Sequence, residues 1–142
     1  MAFSGYLLKL IAPNNTKTEI PLEYIKYTTY KVTPDQMLDL DTGLRDITGV
    51  MHRNVVDHVV TKVEFETPSM TNTQLNVLIQ LLLSHVRVPK ERDVWLEYYD
   101  AYTNGYKTGH FYIPDINFEI RNVDVANNII NYNQTRIAFI EY

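Results

Sequence analysis

Alternating side chains surround a turn in the stretch 93-DVWLEYYDAYTNGYKTGHFYIP-114. Alternation between polar and apolar residues is typical of a strand with one buried face, so the two halves predict an antiparallel β-hairpin. The dipeptide Asn104-Gly105 is typical of a two-residue type I′ turn, and a longer loop that starts at Asp100 is also open. This hairpin predicts that the protein is mainly β.

A loop of two residues and a loop of six give the hairpin the same two faces, because only an odd change in loop length exchanges them. One face is apolar enough for a core and carries Val94, Leu96, Tyr98, Lys107, Phe111 and Ile113. The other is too polar for a core and unusually aromatic, and it carries Trp95, Glu97, Tyr99, Tyr106, Thr108, His110 and Tyr112. Clustered exposed aromatic side chains tend to mark an interface. The predicted aromatic interaction surface consists of Trp95, Tyr99, Tyr106 and Tyr112.

Further strands are predicted on both sides of this hairpin. In 57-DHVVTKVEFETP-68 the side chains of Val59, Thr61, Val63 and Phe65 share one face, opposite a polar face with His58, Lys62, Glu64 and Glu66. Residues 6–11 form a predicted strand, and Ile20, Leu22 and Tyr24 lie on one side of a second extended segment. Pro21 makes that segment an edge strand or a bulge. Residues 115–120 form another predicted strand, and residues 121–134 an irregular connection. The last strand, 135-TRIAFIEY-142, is apolar on both faces and is therefore predicted to be central or covered.

A single helix is predicted in 71-TNTQLNVLIQLLLSHV-86. Thr71 is a natural N-cap, and Gln74 completes a capping box three residues later. Helical spacing puts Leu75, Leu78, Ile79, Leu82 and Val86 on one apolar stripe. Together with the strands, this helix predicts a mainly β (α+β) fold: an antiparallel β-sandwich or barrel with one flanking α-helix.

A long segment from Pro34 to Arg53 is predicted as a loop, although a hairpin folded back on the sandwich is the alternative. Loops this long are uncommon in compact domains unless they are functional. The segment combines many apolar residues with charged ones, which indicates a partner surface. The predicted self-assembly residues are Asp39, Asp41, Leu44, Arg45, Asp46, Met51 and Arg53.

The same segment superficially resembles a calcium loop, since Asp39, Asp41, Gly43 and Asp46 are crowded together. An EF-hand loop that starts at Asp39 would need an oxygen ligand where Gly43 stands and a glutamate where Val50 stands. The four histidines form no metal-binding motif. We therefore predict no metal site and no cofactor.

Composition limits the remaining classes. A chain of 142 residues fits one domain, residues 1–142, and is long enough to fold without disulfide bonds or a bound metal ion. The formal net charge of −4 disfavours nucleic-acid binding, and the sequence has no apolar run long enough to span a membrane.

The chain has no cysteine, and none of Ser4, Ser69 and Ser84 lies in a nucleophile elbow. The carboxylates Glu64 and Glu66 point the same way and do not face each other across a cleft, as glycoside hydrolysis requires. The sequence thus predicts no enzyme.

Several segments resemble a family of small proteins that are encoded among the tail genes of siphophages and prophages of Gram-positive bacteria. The segments are PLEYIKYTTYKVTPDQ, RDITGVMHRNVVDH, TKVEFETP, YYDAYTNGYKTGHFYIPDI and YNQTRIAFIEY. This resemblance implies a tail-tube-like fold, as in tube proteins, tail terminators and the first domain of distal tail proteins. It also implies a protein made in the host cytoplasm and built into the virion.

The function that the resemblance implies is structural. Subunits of such folds close into rings, commonly hexamers, and the long loop bridges to a neighbouring subunit. We expect a ring at or near the distal end of the tail tube, in contact with tube and baseplate proteins. Distal tail proteins usually carry a second, carbohydrate-module-like domain, for which this chain has no room. The alternative is a carbohydrate-binding host-adhesion module that uses the aromatic face as a stacking platform, and a cell-wall hydrolase is the weakest interpretation.

Overall fold

Twelve strands, one α-helix and two short 3-10 helices make up the fold of the computed structural model, which describes residues 3–36, 39–45, 47–49, 51–55 and 60–142. The 3-10 helices are Leu22–Tyr24 and Tyr27–Thr29, and the α-helix is α1, Asn72–Ser84. In chain order the strands are β1 Leu8–Ile11, β2 Lys17–Glu19, β3 Lys31–Gln36, β4 Asp39–Arg45, β5 Met51–Val55, β6 Val60–Glu66, β7 Met70–Thr71, β8 Asp93–Asp100, β9 Gly105–Tyr112, β10 Ile120–Asp124, β11 Ile129–Tyr132 and β12 Arg136–Glu141.

Three antiparallel sheets organise these strands. The main sheet has seven strands in the order β2-β1-β8-β9-β12-β6-β3. A second sheet has the order β10-β11-β7, and β4 and β5 pair in a third. The mainly antiparallel architecture with one flanking helix is confirmed. The final strand β12 lies between β9 and β6, so its predicted central place is also confirmed.

The core lies against one face of the main sheet. Val94, Leu96 and Phe111 are fully buried there, and Thr61, Val63 and Phe65 of β6 lie on the same side, as the alternation predicts. Leu75, Leu78 and Leu82 of α1 close the core from outside the sheet.

The capping box of α1 is confirmed. The Thr71 hydroxyl accepts a hydrogen bond from the Gln74 backbone N–H, and the Gln74 side chain accepts one from the Thr71 N–H. Each of these bonds satisfies a donor that a helix start would otherwise leave unpaired. In the described residues no helix is long and apolar enough to cross a membrane.

Three local predictions are wrong. Residues 20–24 do not form a strand; Ile20 is buried beyond the end of β2, and the chain turns into the 3-10 helix Leu22–Tyr24 after Pro21. Residues 115–120 are mostly without regular structure, whereas the predicted irregular connection contains the hairpin of β10 and β11. The two-residue type I′ turn is wrong, because the loop between β8 and β9 has four residues, 101–104, of which Asn104 adopts a left-handed φ, of 48°. The loop is longer than two residues, as the open alternative expected, although it begins after Asp100. Because four is an even number, both faces of the hairpin remain as predicted.

The segment predicted as a long loop is largely extended. It begins within β3 and continues into β4 and β5, which form a β-hairpin. The hairpin alternative is therefore correct for the backbone. Among the strands that the structure describes, however, β4 and β5 pair only with each other and not with the main sheet.

Candidate assembly surface

The outer face of the β8–β9 hairpin carries the predicted aromatic surface. The register sets Trp95 opposite His110, Glu97 opposite Thr108 and Tyr99 opposite Tyr106. Trp95, Tyr99, Tyr106 and Tyr112 are half-buried there. Other rings of the hairpin and rings from both ends of the chain pack against them and form two aromatic clusters.

The first cluster joins the N-terminal segment to the hairpin and contains Phe3, Tyr6, Tyr99 and Tyr106. Tyr6 stacks on Tyr106 with ring centroids 4.3 Å apart, and Tyr99 meets Tyr106 edge-on at 5.6 Å. The Tyr106 hydroxyl donates to the Tyr6 carbonyl at 2.7 Å, and Phe3 contacts the edge of Tyr99. Aromatic pairs of this kind contribute roughly 0.5–1.5 kcal/mol beyond their buried area.

The second cluster contains Trp95, His110, Tyr112 and Tyr142. The His110 ring stacks on Trp95 at 4.8 Å and on Tyr142 at 4.4 Å, and Tyr142 meets Tyr112 at 5.5 Å. The Arg87 guanidinium lies 5.6 Å from the Trp95 ring centroid, a cation–π arrangement. His110 Nε2 is 2.9 Å from Asp93 Oδ2, and this hydrogen bond lowers the pKa of Asp93.

Glu97 lies between the two clusters. The alternation in the sequence predicted that its side chain lies on the polar outer face. The residue is only 7% exposed, and its carboxylate accepts hydrogen bonds from the Tyr6 hydroxyl and from Lys17 Nζ. Burial by itself raises the pKa of this carboxyl group, but the bonds from Lys17 and Tyr6 outweigh burial and lower it. Burial together with the bond to Glu97 raises the pKa of Tyr6 to about 12.

A third acidic residue of β8, Asp100, is fully buried on the core side. Its Oδ2 atom is 3.2 Å from Lys107 Nζ across the hairpin, and this contact raises the pKa of Lys107. All three acidic residues of β8 thus have a cationic or protonatable partner. The sequence did not reveal the partners of Glu97, because Tyr6 and Lys17 are distant from it along the chain.

The rest of the outer face is charged. Arg136 of β12 donates to Glu64 of β6, with Nε 2.8 Å from Oε2, and Lys62 Nζ lies 3.6 Å from the same carboxylate oxygen. Burial raises the pKa of Glu64, but Arg136 and the neighbouring lysines outweigh burial and lower it. The outer face therefore has an aromatic half on β8 and β9 and a charged half on β6 and β12.

The β4–β5 hairpin collects most of the predicted self-assembly residues. Its register pairs Asp39 with Val55, Asp41 with Asn54, Leu44 with His52 and Arg45 with Met51. Arg53 also lies in β5, whereas Asp46 lies outside the described residues. In the turn, Ile47 is fully exposed and Gly49 has a φ of +86°, which favours glycine. The hairpin residues and the aromatic residues lie in different sheets, so the structure does not join the two predicted surfaces into one.

Metal-binding geometry is absent from the described part of the chain: it contains no group of three or more His, Asp or Glu side chains that could hold an ion. The acidic residues of β8 lie instead in separate ion pairs or hydrogen bonds.

The fold as a whole resembles that of a solved structure titled "Tail of empty GTA particle computed with helical refinement, C6 symmetry". The match has a TM-score of 0.51 and covers 99% of this chain and 95% of that chain, at 12% sequence identity. At this identity the likeness establishes the fold alone. No curated protein matches the sequence.

A family model described as "Family of unknown function (DUF6711)" matches residues 1–142. The match spans every strand and helix described above, including both candidate surfaces. The chain belongs to the family of unknown function DUF6711.

Proposed function

We propose that this protein is a non-enzymatic structural subunit of a phage tail and that copies of it assemble into a ring. The observation that carries the proposal is the likeness of nearly the whole chain to a chain of a C6-symmetric tail. Fold alone does not imply function, but a subunit fold of the right length is the first requirement of a ring protein.

The β4–β5 hairpin supports assembly on physical grounds. An isolated two-stranded hairpin is marginally stable in water and usually needs a third strand or a packed face. Among the described strands this hairpin has no third partner, and Ile47 at its turn is fully exposed. A neighbouring subunit that covers the hairpin would supply the missing contacts.

The finer features of the proposal follow from the segments that resemble tail proteins of Gram-positive siphophages and prophages. The ring would be hexameric and would lie at or near the distal end of the tail tube, in contact with tube and baseplate proteins. Residues 1–142 would act as a single tail-tube-like domain of the virion. Asp39, Asp41, Leu44, Arg45, Asp46, Met51 and Arg53 would contribute to contacts between subunits.

The glycan-binding alternative receives less support. A sugar stacks on an aromatic face that is open to solvent, whereas Trp95 already stacks on His110 and Tyr106 on Tyr6. A glycan would have to compete with these contacts. The two functions separate in a Trp95→Ala variant: a sugar platform predicts lost glycan binding with assembly intact, and a structural role predicts no glycan retained by the wild type.

Electron microscopy of the parent particle tests the proposal most directly. We expect density for this chain in a ring of the tail, and we expect light scattering of the purified protein to detect self-association. A tail in which no density accepts the fold would refute the proposal, even if the purified protein associates. Clearing of a cell-wall suspension by the pure protein would instead revive an enzymatic function.

A further inference from the structure

The second sheet, β10-β11-β7, has an apolar strip that α1 does not cover. Helix α1 packs against β7 and β11, and Tyr132 of β11 joins the core. β10 is the outer strand of this sheet, and Ile120 and Val123 on it are 54% and 56% exposed. The sheet is therefore wider than its helical cover.

A shift of register makes this strip apolar along its length. Ile120 lies opposite Tyr132 and Val123 opposite Ile130, with an irregularity between Ile120 and Asn122. Side chains that face each other across a ladder point to the same side of the sheet. Ile120 and Val123 consequently share the face on which Tyr132 packs, although they are three residues apart.

The strip continues into a groove beside α1. Phe118, which is 46% exposed, lines a cavity of about 210 Å³ together with Ile79, Leu83, Val86 and Ile116. Phe118 also lines a second opening with Leu75 and Tyr132. We refer to Phe118, Ile120, Val123 and this groove as the β10 trough.

In the described part of the chain, the edge strands of the main sheet offer no comparable apolar surface. β3 has Pro34, a register shift and a left-handed Asp35 with φ of 50°, all of which protect an edge. β2 has three residues and carries Lys17 and Glu19. Among the described sheet edges, the β10 trough is the one that leaves several large apolar side chains more than two-fifths exposed.

We propose that the β10 trough receives the β4–β5 hairpin of a second copy of this chain. Among the described strands the hairpin has no third strand, which such a hairpin usually needs for stability. The trough is a sheet edge with an apolar face. The exposed Ile47 at the hairpin turn matches the apolar groove in character. This inference depends on the proposed function and specifies the surfaces that the subunits use.

The proposed contact joins two different surfaces, so it is heterologous. Repeated heterologous contacts produce a closed ring or an open filament, whereas a self-complementary contact stops at a dimer. The contact therefore propagates from copy to copy, as a ring or a stack of rings requires.

A pair of exposed valines allows a matched test. Val123 in the trough and Val77 on α1 are 56% and 52% exposed, and helical geometry directs Val77 away from the groove side of α1. We expect Val123→Lys to abolish self-association measured by light scattering, and Val77→Lys to leave it unchanged. Circular dichroism and the thermal midpoint serve to verify that both variants fold.

Mixing two variants tests the identity of the occupant. Ile47→Lys keeps an intact trough, and Val123→Lys keeps an intact hairpin, so together they offer one working contact. We expect each variant alone to be monomeric and the equimolar mixture to form heterodimers without larger species. Larger species in the mixture would mean that the hairpin and the trough bind different sites, which would overturn the proposal.

The absence of cysteine from the sequence permits site-specific cross-linking. We expect a short bifunctional thiol reagent to link Ile47→Cys chains to Val123→Cys chains more efficiently than to Val77→Cys chains. Equal yields would overturn the proposal, as would a wild type that stays monomeric at every concentration reached. If Val123→Lys still forms the rings that the wild type forms, the trough is not the receptor, and the proposed tail function is unaffected.

Discussion

Each acidic residue of β8 has an ion-pair or hydrogen-bond partner on β9 or in the N-terminal segment. Asp93 contacts His110, Glu97 contacts Tyr6 and Lys17, and Asp100 contacts Lys107. Carboxylates that are buried must be paired, because an isolated buried charge loses its hydration. The partners of Glu97 attach the N-terminal segment to the hairpin.

Removing the Glu97 carboxylate is expected to destabilise the protein. Glu97→Ala leaves the Tyr6 hydroxyl and Lys17 without their acceptor, and losing one partner of a buried bond costs about 1–3 kcal/mol. Urea unfolding at pH 7 measures this loss. A cost below the error of the method would mean that water replaces the carboxylate.

The contribution of the Glu97 charge to stability should depend on pH. The folded protein lowers the pKa of Glu97, so the stability from its charge is present above the ordinary glutamate pKa of about 4.3 and is lost as pH falls. We expect the difference in unfolding free energy between wild type and Glu97→Gln to shrink between pH 7 and about pH 3. A difference that stays constant would contradict the pairing.

Alkaline pH should also weaken the hydrogen bond between Tyr6 and Glu97. The pKa of Tyr6 is raised to about 12, so the stability from its protonated hydroxyl is present below the ordinary tyrosine pKa of about 10 and is lost as pH rises through the folded value. Urea midpoints at pH 9 and pH 11 measure the decline. The Tyr6→Phe variant is the control and should decline less steeply than wild type.

Gly109 illustrates a steric requirement at a single residue. A Cβ atom there would lie 2.8 Å from Phe111 Cε1 and 3.0 Å from Glu141 Oε2, and the Phe111 side chain is fully buried. We expect Gly109→Ala to destabilise the protein by about 1–3 kcal/mol, as overpacked cores do. The matched control is Gly105→Ala, whose nearest neighbour would be 3.7 Å away. Equal effects of the two substitutions in thermal unfolding would contradict this account.

Substitutions in α1 distinguish how much packing and capping each contribute to the free energy of unfolding. Leu78 is fully buried, so Leu78→Ala should cost about 2–5 kcal/mol of unfolding free energy. Thr71→Ala removes the N-cap and should cost about 1 kcal/mol. The exposed Val77→Ala is the control and should change stability by less than about 0.5 kcal/mol. Chemical denaturation can rank the three, and a cap that costs more than the core leucine would contradict the ranking.

The elements that sequence analysis identified share an uninterrupted period. A strict alternation runs through β6, β8 and β9, and a helical stripe runs through α1. The faces of β8 and β9 were assigned correctly because the loop between them has an even number of residues. The β10–β11 hairpin was not identified, and the β4–β5 hairpin was predicted only as the alternative to a long loop. Their registers shift, between Asp39 and Leu44 in one and after Ile120 in the other, so the alternation loses its phase.

Candidate surfaces were predictable only in part for a related reason. Alternation placed Trp95, Tyr99, Tyr106 and Tyr112 on one face, because that requires only local geometry. It did not predict that Tyr6 and Tyr142 would stack among them, since those residues are distant in sequence. The β10 trough was missed because a register irregularity brings Ile120 and Val123, two of its exposed apolar residues, to one face.

On the scale of the whole molecule, the two aromatic clusters attach both ends of the chain to one hairpin. Tyr6 stacks on Tyr106 near the start of the chain, and Tyr142 stacks on His110 near its end. By contrast, Ile47 at the turn of the β4–β5 hairpin and the apolar residues of the β10 trough are exposed on the single chain. The molecule thus has a self-sufficient sheet and two surfaces available for assembly.

Charge reversal in the hairpin should affect assembly more than folding. Arg45 pairs in register with Met51 near the turn of a hairpin that is separate from the main sheet. Truncating one member of an interfacial charge pair costs roughly 2–5 kcal/mol of binding, whereas a solvated charge contributes little to stability. We expect Arg45→Glu to weaken self-association in sedimentation while its thermal midpoint in dilute solution stays near that of wild type. Unchanged association would remove Arg45 from the interface.

Assembly should also stabilise the fold by mass action. A partner that binds the folded state alone raises apparent stability with concentration. We expect the thermal midpoint of the wild type to rise with protein concentration and that of Val123→Lys to remain constant. If the thermal midpoints of both proteins change with concentration in the same way, assembly at the trough does not stabilise the fold.

The four-residue loop between β8 and β9 also offers a place for a label. Residues 101–104 are exposed, Tyr102 is 75% accessible, and the ladder closes before them at the pair of Asp100 and Gly105. An epitope inserted between Tyr102 and Thr103 lies beyond that closing pair, so its length has no influence on which face the strand residues occupy. Antibody decoration of intact particles that carry such an epitope would reveal which side of the subunit faces outward.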